Sequence, residues 1–446
     1  MRVYFYTLLR KYLSIFILPQ NSVVEIDPTS SLLIATLPNG KVSFRNTMKD
    51  SKLLATDICK EKIIPYENIH REKPDYIVIS NLIHYERDIQ GLLFDIHKLC
   101  HKDTRLLLTY YSALWRPLTY IASKLNLRSK VSELNWIGHE DIKNLLELES
   151  FELIRLDLRV LIPLYIPFIS SFCNRFLAHL PFIKNFCLLN LAIARPLFPK
   201  EEKLFLNPSV SIVIPARNEE GNIINIIKRI PIMGPKDEII FIEGNSTDNT
   251  WSTIQRAQET YKLDRRIVIA QQEGKGKGDA VRKGFDLASN EILMILDADI
   301  TVPPEDLLKF YRAINDNKGE FINGSRLVYP MQEEAMQFLN LIGNKFFAMA
   351  FSYVLGQRFK DTLCGTKAIT RLNYKKLSKN RSFFGEFDPF GDFDLIFGAA
   401  RMGLKIIEIP ICYAERSYGK TNISRWHHGT ILLAMLIFSA KKIRFL

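Results

Sequence analysis

The sequence of 446 residues has no CxxC pair, and its six cysteines (Cys59, Cys100, Cys173, Cys187, Cys364 and Cys412) are scattered. That excludes a zinc ribbon or a thioredoxin-like site and fits reduced, mostly buried thiols in a cytosolic compartment. Long apolar runs are missing too. The longest uncharged run, Val160 to Asn174, has 15 residues and holds Pro163 and Pro167; the last, Gly429 to Ala440, has 12. Both fall short of the roughly 20 residues of a spanning helix, so each is expected at most on a membrane surface. The start, MRVYFYTLLRKYLSIFILPQ, lacks a small-residue cleavage site and is interrupted by Arg10 and Lys11. It reads as an amphipathic first helix rather than a signal peptide. Internal repeats, low-complexity tracts and Walker A loops are absent. So are helix-turn-helix, zinc-finger and RNA-binding signatures, which argues against a nucleic-acid partner.

What is present is globular: 47% hydrophobic and 24% charged residues. A formal net charge of +12 suits anionic partners such as phosphates, nucleotides or acidic lipids. The length predicts two domains. A break at residues 196–208, PLFPKEEKLFLNP, carries three prolines and a charged cluster. It divides a domain at 1–195 from one at 208–446, with 196–207 as linker.

After the linker, apolar strands alternate with helical periods. Strands are expected at Val210–Ile214, Glu238–Ile242, Ile267–Ala270 and Ile292–Leu296, and helices at Glu219–Ile230, Thr250–Tyr261, Asp279–Ala288 and Glu305–Asn315. The fold class is therefore α/β, with a parallel sheet covered by helices and ligands beyond the carboxyl ends of its strands. The first domain is α/β with weaker turn signals. Its strands are expected at Val23–Asp27, Tyr76–Asn81 and Arg105–Tyr110, its helices at Asp88–Leu99 and His139–Leu148.

The strand Ile292–Leu296 ends in Asp297 and Asp299, two carboxylates that repel unless something positive joins them. A divalent cation, Mg²⁺ or Mn²⁺, would do so, with phosphate oxygens completing its shell. A solvated turn is the plainer alternative for this pair alone. Pro215-Ala216-Arg217-Asn218-Glu219 and Glu243-Gly244-Asn245-Ser246-Thr247-Asp248 place polar groups at two neighbouring strand ends, for a ligand or for helix caps. Gly274-Lys275-Gly276-Lys277-Gly278 is a cationic loop before a helix, suited to a diphosphate or simply mobile. Downstream, Asp361 lies in a polar turn, while Asp392 and Asp394 begin an expected helix. There they would serve as a general base or favour the helix N-terminus.

The order PARNEE, EGNSTD, GKGKGDAVRKGF, LDAD, DTLCGTKA, FGDFDL, ERSYGKTNISR resembles a family-2 glycosyltransferase, in the branch containing dolichyl- or polyprenyl-phosphate sugar synthases. The resemblance implies a GT-A fold, with a Rossmann-like mixed sheet, over 208–446 and an inverting hexosyltransferase using a nucleotide-diphosphate sugar and a divalent metal. It implies that Asp297 and Asp299 hold the metal against the diphosphate. Pro215, Arg217, Asn218 and Glu219 match the nucleotide-gripping segment, and Glu243 stands where the family usually has aspartate. Asp248 and Lys277 fall on the donor side, and Arg416 and Lys420 in a segment that clamps phosphate. Asp392 is the base if the acceptor is a hydroxyl on a glycan or lipid. Asp361 matters more if it is a lipid phosphate, which needs no base. The setting implied is cell-envelope polysaccharide or glycolipid synthesis. The enzyme would be peripheral on the cytoplasmic face of an anionic membrane, held by Thr430–Phe438 and the basic end Lys441-Lys442-Ile443-Arg444, unless that tail is a packed terminal helix.

Asp75–Asn81, Ile96–Cys100 and Arg105–Tyr111 resemble the middle of a class I methyltransferase. Such a domain needs a Gly-rich turn after its first strand, and Val24–Ser30 has none. A degenerate methyltransferase-like domain is expected, without S-adenosylmethionine. The rival for the whole chain is a non-catalytic, membrane-associated scaffold or nucleotide-sugar-binding protein.

Overall fold

A computed structural model describes residues 2–28, 33–45, 60–125, 135–199, 207–328, 338–381, 391–414, 416, 418 and 425–445. The chain divides into two compact units, 1–200 with 441–446, and 201–440.

In the first unit six strands form one sheet: β1 (Val23–Ile26), β2 (Gly40–Ser43), β3 (Tyr76–Ser80), β4 (Arg105–Tyr111), β5 (Phe151–Arg159) and β6 (Leu189–Pro196). Their order is β2-β1-β3-β4-β6-β5. The first four run parallel, and β6 is inserted antiparallel between β4 and β5. The expected first helix forms at Arg2–Leu13 and buries Phe5, Leu9, Tyr12 and Leu13, one face at helical spacing. Helix Ile89–Leu99 starts where the Asp88 carboxylate accepts the Gly91 N–H at 2.8 Å. At the carboxyl end of β1, Asp27 (φ 43°) accepts from Arg45 Nε at 2.7 Å, and Arg45 also pairs with Glu86 at 2.6 Å. Polar side chains that follow β1, β2 and β3 are thus joined to one another.

Residues 441–446, read from the sequence as part of the second domain, cluster with the first unit instead. Ile443 is fully buried, and Arg444 pairs with Asp157 at 3.0 Å. Three arginines, Arg155, Arg159 and Arg444, hold the buried Asp157 carboxyl far below its ordinary range against the opposing cost of burial.

The second unit carries a seven-stranded sheet. Its strands are β7 (Val210–Ala216), β8 (Glu238–Glu243), β9 (Arg266–Gln271), β10 (Ile292–Ile295), β11 (Phe321–Ser325), β12 (Lys367–Thr370) and β13 (Ile406–Pro410). The order is β13-β11-β12-β10-β7-β8-β9. All run parallel except β12, which is antiparallel to both β10 and β11. The sheet is therefore mixed, as in the fold class implied by the resemblance, and not purely parallel as strand–helix alternation alone predicts. Helices Ile223–Arg229, Thr250–Tyr261, Lys277–Leu287 and Leu307–Asn315 cover it. Ile292 to Leu296 are all buried, as their unbroken apolar run requires. Each such side chain adds roughly 1.5–3 kcal/mol by leaving water. Gly284 lets the helix Lys277–Leu287 lie against β7, because a Cβ there would sit 2.3 Å from Val213. Among the described residues no helix is long and apolar enough to cross a membrane.

The chain runs outward from β7 through β8 to β9, then returns to the other side of β7 as β10. That reversal opens a crevice at the carboxyl ends of β7 and β10, the usual ligand position in such sheets. Antiparallel β12 starts where β10 ends, with Lys367 beside Ile295. Its first residues therefore join the same crevice.

Candidate active site

The β7 and β8 ends are bound to each other. Asn218 has left-handed backbone (φ 57°), and its Oδ1 accepts the Thr247 N–H at 2.7 Å. Its own N–H donates to Ser246 Oγ at 3.0 Å. The Asp248 carboxylate accepts the Thr250 N–H at 3.0 Å, at the start of helix Thr250–Tyr261. Glu243 is buried and accepts from Ser246 N–H and, at 3.0 Å, from Gln271 Nε2. Pro215 is half-buried in the floor, and Arg217 is exposed at the mouth. Asn218, Glu243 and Asp248 thus shape the loops, leaving Arg217 the residue most open to a ligand on this side.

Asp297 and Asp299 face two separate cations. Lys277, the first residue of its helix, places Nζ 2.6 Å from Asp297 Oδ1. Arg416 reaches Asp299 Oδ2 at 2.8 Å and Glu219 Oε1 at 3.2 Å, so one guanidinium spans two carboxylates. Asp299 Oδ1 accepts from the Thr301 hydroxyl at 2.8 Å. Burial opposes the charge on Asp297, yet Lys277, Lys367 and Arg326 together hold its carboxyl below the ordinary range. Gly365 closes over this pair; a Cβ there would lie 2.1 Å from Asp297 Oδ2 and 2.2 Å from Lys277 Nζ.

Arg326, Lys367 and Glu408 escaped the sequence reading. Arg326 follows β11 and grips Asp361 with Nε to Oδ2 at 2.6 Å and Nη2 to Oδ1 at 2.9 Å. Asp361 is fully buried and accepts further from the Arg326 N–H at 3.1 Å, Asn344 Nδ2 at 3.0 Å and the Leu363 N–H at 3.0 Å. Burial would raise its pKa, but the Arg326 charge and these bonds bring it down to about 2. Glu408 on β13 accepts the Lys360 and Asp361 N–H groups at 2.8 and 3.1 Å and so fixes that turn. Lys367 is buried and donates Nζ to the Cys364 carbonyl. A signal for Arg326 was available: an arginine directly follows the β-run FINGS.

The helix Asp392–Arg401 begins at Gly391, φ +69°, where a Cβ would be 2.5 Å from Gly278 Cα. This close approach brings the start of the FGDFDL stretch against the GKGKGD loop. The Asp392 side chain and all of Lys420 lie outside the described residues. Asp394 is buried, with Arg282 and Arg381 at 3.7 and 3.4 Å.

The donor set suits a hard divalent cation of the Mg²⁺ type, which usually takes one or two carboxylates and fills its shell with phosphate oxygens and water. Asp297 and Asp299 would supply those two. Among the described residues no group of three His, Cys, Asp or Glu side chains is placed to hold a metal alone. An ion at these two carboxylates would complete its shell with phosphate oxygens or water.

Glu219 carries a pH signature. Burial pushes its pKa up to about 7, against the pull of Arg416 and Asn222. A carboxyl raised in the fold stabilises most below its unfolded value, near 4.5, and that contribution fades as pH rises through about 7. Glu219→Gln is therefore expected to gain stability over the parent between pH 4.5 and 7, by at most about 3 kcal/mol. Melting temperatures of both proteins across that range would check it; a constant gap would remove Glu219 as the titrating group.

Residues 211–375 match glycosyl transferase family 2. A glycosyltransferase of Haloferax volcanii is 29% identical over 235 residues, spanning 52% of this chain and 72% of its own. A dolichol-phosphate mannosyltransferase of Pyrococcus furiosus is 28% identical over 220 residues, spanning 48% of this chain and 59% of its own. Among solved structures, glucosyl-3-phosphoglycerate synthase from Mycobacterium tuberculosis with Mn²⁺, uridine diphosphate and glucosyl-3-phosphoglycerate aligns at 18% identity and TM-score 0.37, over 53% of this chain and 80% of that one.

Proposed function

We propose that this chain, whose residues 211–375 are a family-2 glycosyltransferase domain, moves a sugar from a nucleotide diphosphate to a lipid phosphate. One observation carries the reading: Lys277 pairs with Asp297 and Arg416 with Asp299 at the reversal of strand order, where the charges of Lys367 and Arg326 also act on Asp297. These four cations are matched by Asp297, Asp299, Glu219 and Asp361, and the partly exposed Lys277 and Arg416 are the ones placed to exchange a carboxylate for the oxygens of a diphosphate. Lys277 and Arg416 would turn to donor phosphates when these arrive. Asp297 and Asp299 would hold a divalent cation, which when bound offsets charge developing on the departing nucleoside diphosphate. Arg217, with Pro215 beneath it, would meet the nucleoside. Arg326 and Lys367 would draw the acceptor phosphate toward the anomeric carbon.

An acceptor phosphate oxyanion is already nucleophilic, so this route needs no base. Asp361 then acts as the positioning residue for Arg326. Asp392 is kept as base for the alternative, a hydroxyl acceptor. Residues 1–195 are proposed as a methyltransferase-like domain that does not bind S-adenosylmethionine. The parallel strands support the likeness, and the Asp27–Arg45–Glu86 pairing at the end of β1 supports the loss of the cofactor. A place on the cytoplasmic face of a membrane is proposed from Leu433 and Ile437, exposed on the helix Arg425–Ser439.

Calorimetric titration with UDP-, GDP- and dTDP-sugars, with and without Mn²⁺, tests the reading. We expect one nucleotide to bind in a Mn²⁺-dependent way and Asp299→Ala to abolish that dependence. Absence of binding by every nucleotide to folded protein would leave the scaffold reading.

A further inference from the structure

We infer that the first unit carries a membrane-docking surface of its own, independent of the transfer chemistry, made by residues 113–125 and 161–186. Its side chains are large, apolar and turned to water. Phe168 is 91% exposed and Phe182 is 86% exposed, and Leu114, Leu118, Tyr165 and Phe172 are exposed with them. An isolated apolar side chain on a surface is ordinary, but a continuous field of them marks an interaction site.

The field is continuous because its parts are joined. Trp115 Nε1 donates to the Phe186 carbonyl at 2.8 Å, tying the segment 113–125 to the second one. The Tyr4 ring meets Tyr165 at 5.4 Å, and Asn174 Nδ2 donates to the Tyr4 hydroxyl at 3.3 Å, which adds the first helix. Arg175 Nε donates to the Phe445 carbonyl at 3.1 Å, and the Phe445 ring stacks on Phe176. The Asn174 side chain also takes the N–H groups of Leu161 and Ile162 at 2.8 and 2.9 Å, so the loop bearing Phe168 is held out by bonds of its own.

Charge selects the occupant. No acidic residue occurs between Asp103 and Glu133, or between Asp157 and Glu201. Arg116, Lys124, Arg175 and Lys184 lie within those stretches, and Arg10 and Lys11 on the first helix. Segments that expose aromatic and aliphatic side chains and carry cations but no carboxylates complement an anionic lipid surface. Aromatic rings with a polar edge, such as Tyr120, Tyr165 and Trp115, suit the boundary between head groups and acyl chains.

The test is flotation of the full-length protein with two kinds of vesicle, phosphatidylcholine alone and phosphatidylcholine mixed in equal parts with phosphatidylglycerol. The Phe168→Ser/Phe182→Ser double variant runs alongside. We expect binding to the mixed vesicles, weaker binding to phosphatidylcholine, and a loss of about tenfold or more in partitioning for the variant. Because both rings are in water, the variant should keep the parent's melting temperature and nucleotide-sugar binding. Sedimentation without lipid adds the remaining arm. Equal partitioning of parent and variant would overturn the inference. So would no binding by the parent, or a lipid-free dimer that the double variant dissolves.

Discussion

Replacing Asp297 by asparagine is expected to reduce sugar transfer by about 10²–10³-fold, the scale on which single preorganised electrostatic contacts act. The substitution keeps the shape of the side chain and removes its charge. Lys277 then loses its carboxylate partner, the charges of Lys367 and Arg326 are no longer offset there, and the proposed divalent cation would lose one of two protein ligands. Two readouts separate these effects. If metal holding is the main role, donor binding in Mn²⁺ should weaken and more Mn²⁺ should restore part of it. If Asp297 mainly positions Lys277, added Mn²⁺ should change nothing. Turnover within about threefold of the parent would place the chemistry elsewhere in the crevice.

That site was only partly legible in the sequence. The run Ile292–Leu296 could be read as a buried strand because five apolar residues in a row leave little other choice, and its carboxyl end could be read as a ligand position from strand–helix alternation alone. Lys277, the partner of Asp297, could be placed on the donor side from its loop, but the other two cations near Asp297 could not. Lys367 arrives on a strand antiparallel to β10, and Arg326 just after the strand beyond it, so both depend on pairings between segments far apart in sequence. Periodicity marks which face of a strand is buried but not which strand lies next to it. The glycines behave likewise. Gly365 and Gly391 stand in stretches the sequence singled out, yet their reasons are contacts with Asp297 and Gly278 across the sheet. The tail shows the same limit. KKIR reads as a basic flank, but burial of Ile443 and pairing of Arg444 with Asp157 are decided by a surface of the first unit.

Asp361 separates a catalytic acid from a holding one. Asp361→Asn should destabilise the protein by about 3–5 kcal/mol, because it leaves Arg326 with a buried charge and no counterion. For a unit of this size that is a fall of roughly 10 °C in melting temperature. The pH dependence follows from the sign of the shift. A carboxyl lowered in the fold stabilises fully above its unfolded value, near 3.8, and that contribution is lost as pH falls through about 2. The gap between parent and variant should therefore be flat from pH 5 to pH 8 and narrow only in strong acid, by about 2 kcal/mol. A proton-transferring aspartate would behave in the opposite way. Its asparagine variant would melt like the parent, and activity would titrate near neutrality. With five hydrogen bonds and no exposed surface, Asp361 has no room to receive a proton during turnover. The expected fall in stability thus goes with the proposed site, in which Arg326 would do the work at the acceptor, and Arg326→Lys should then weaken acceptor use more than donor binding, since an ammonium cannot keep the two-pronged grip on Asp361.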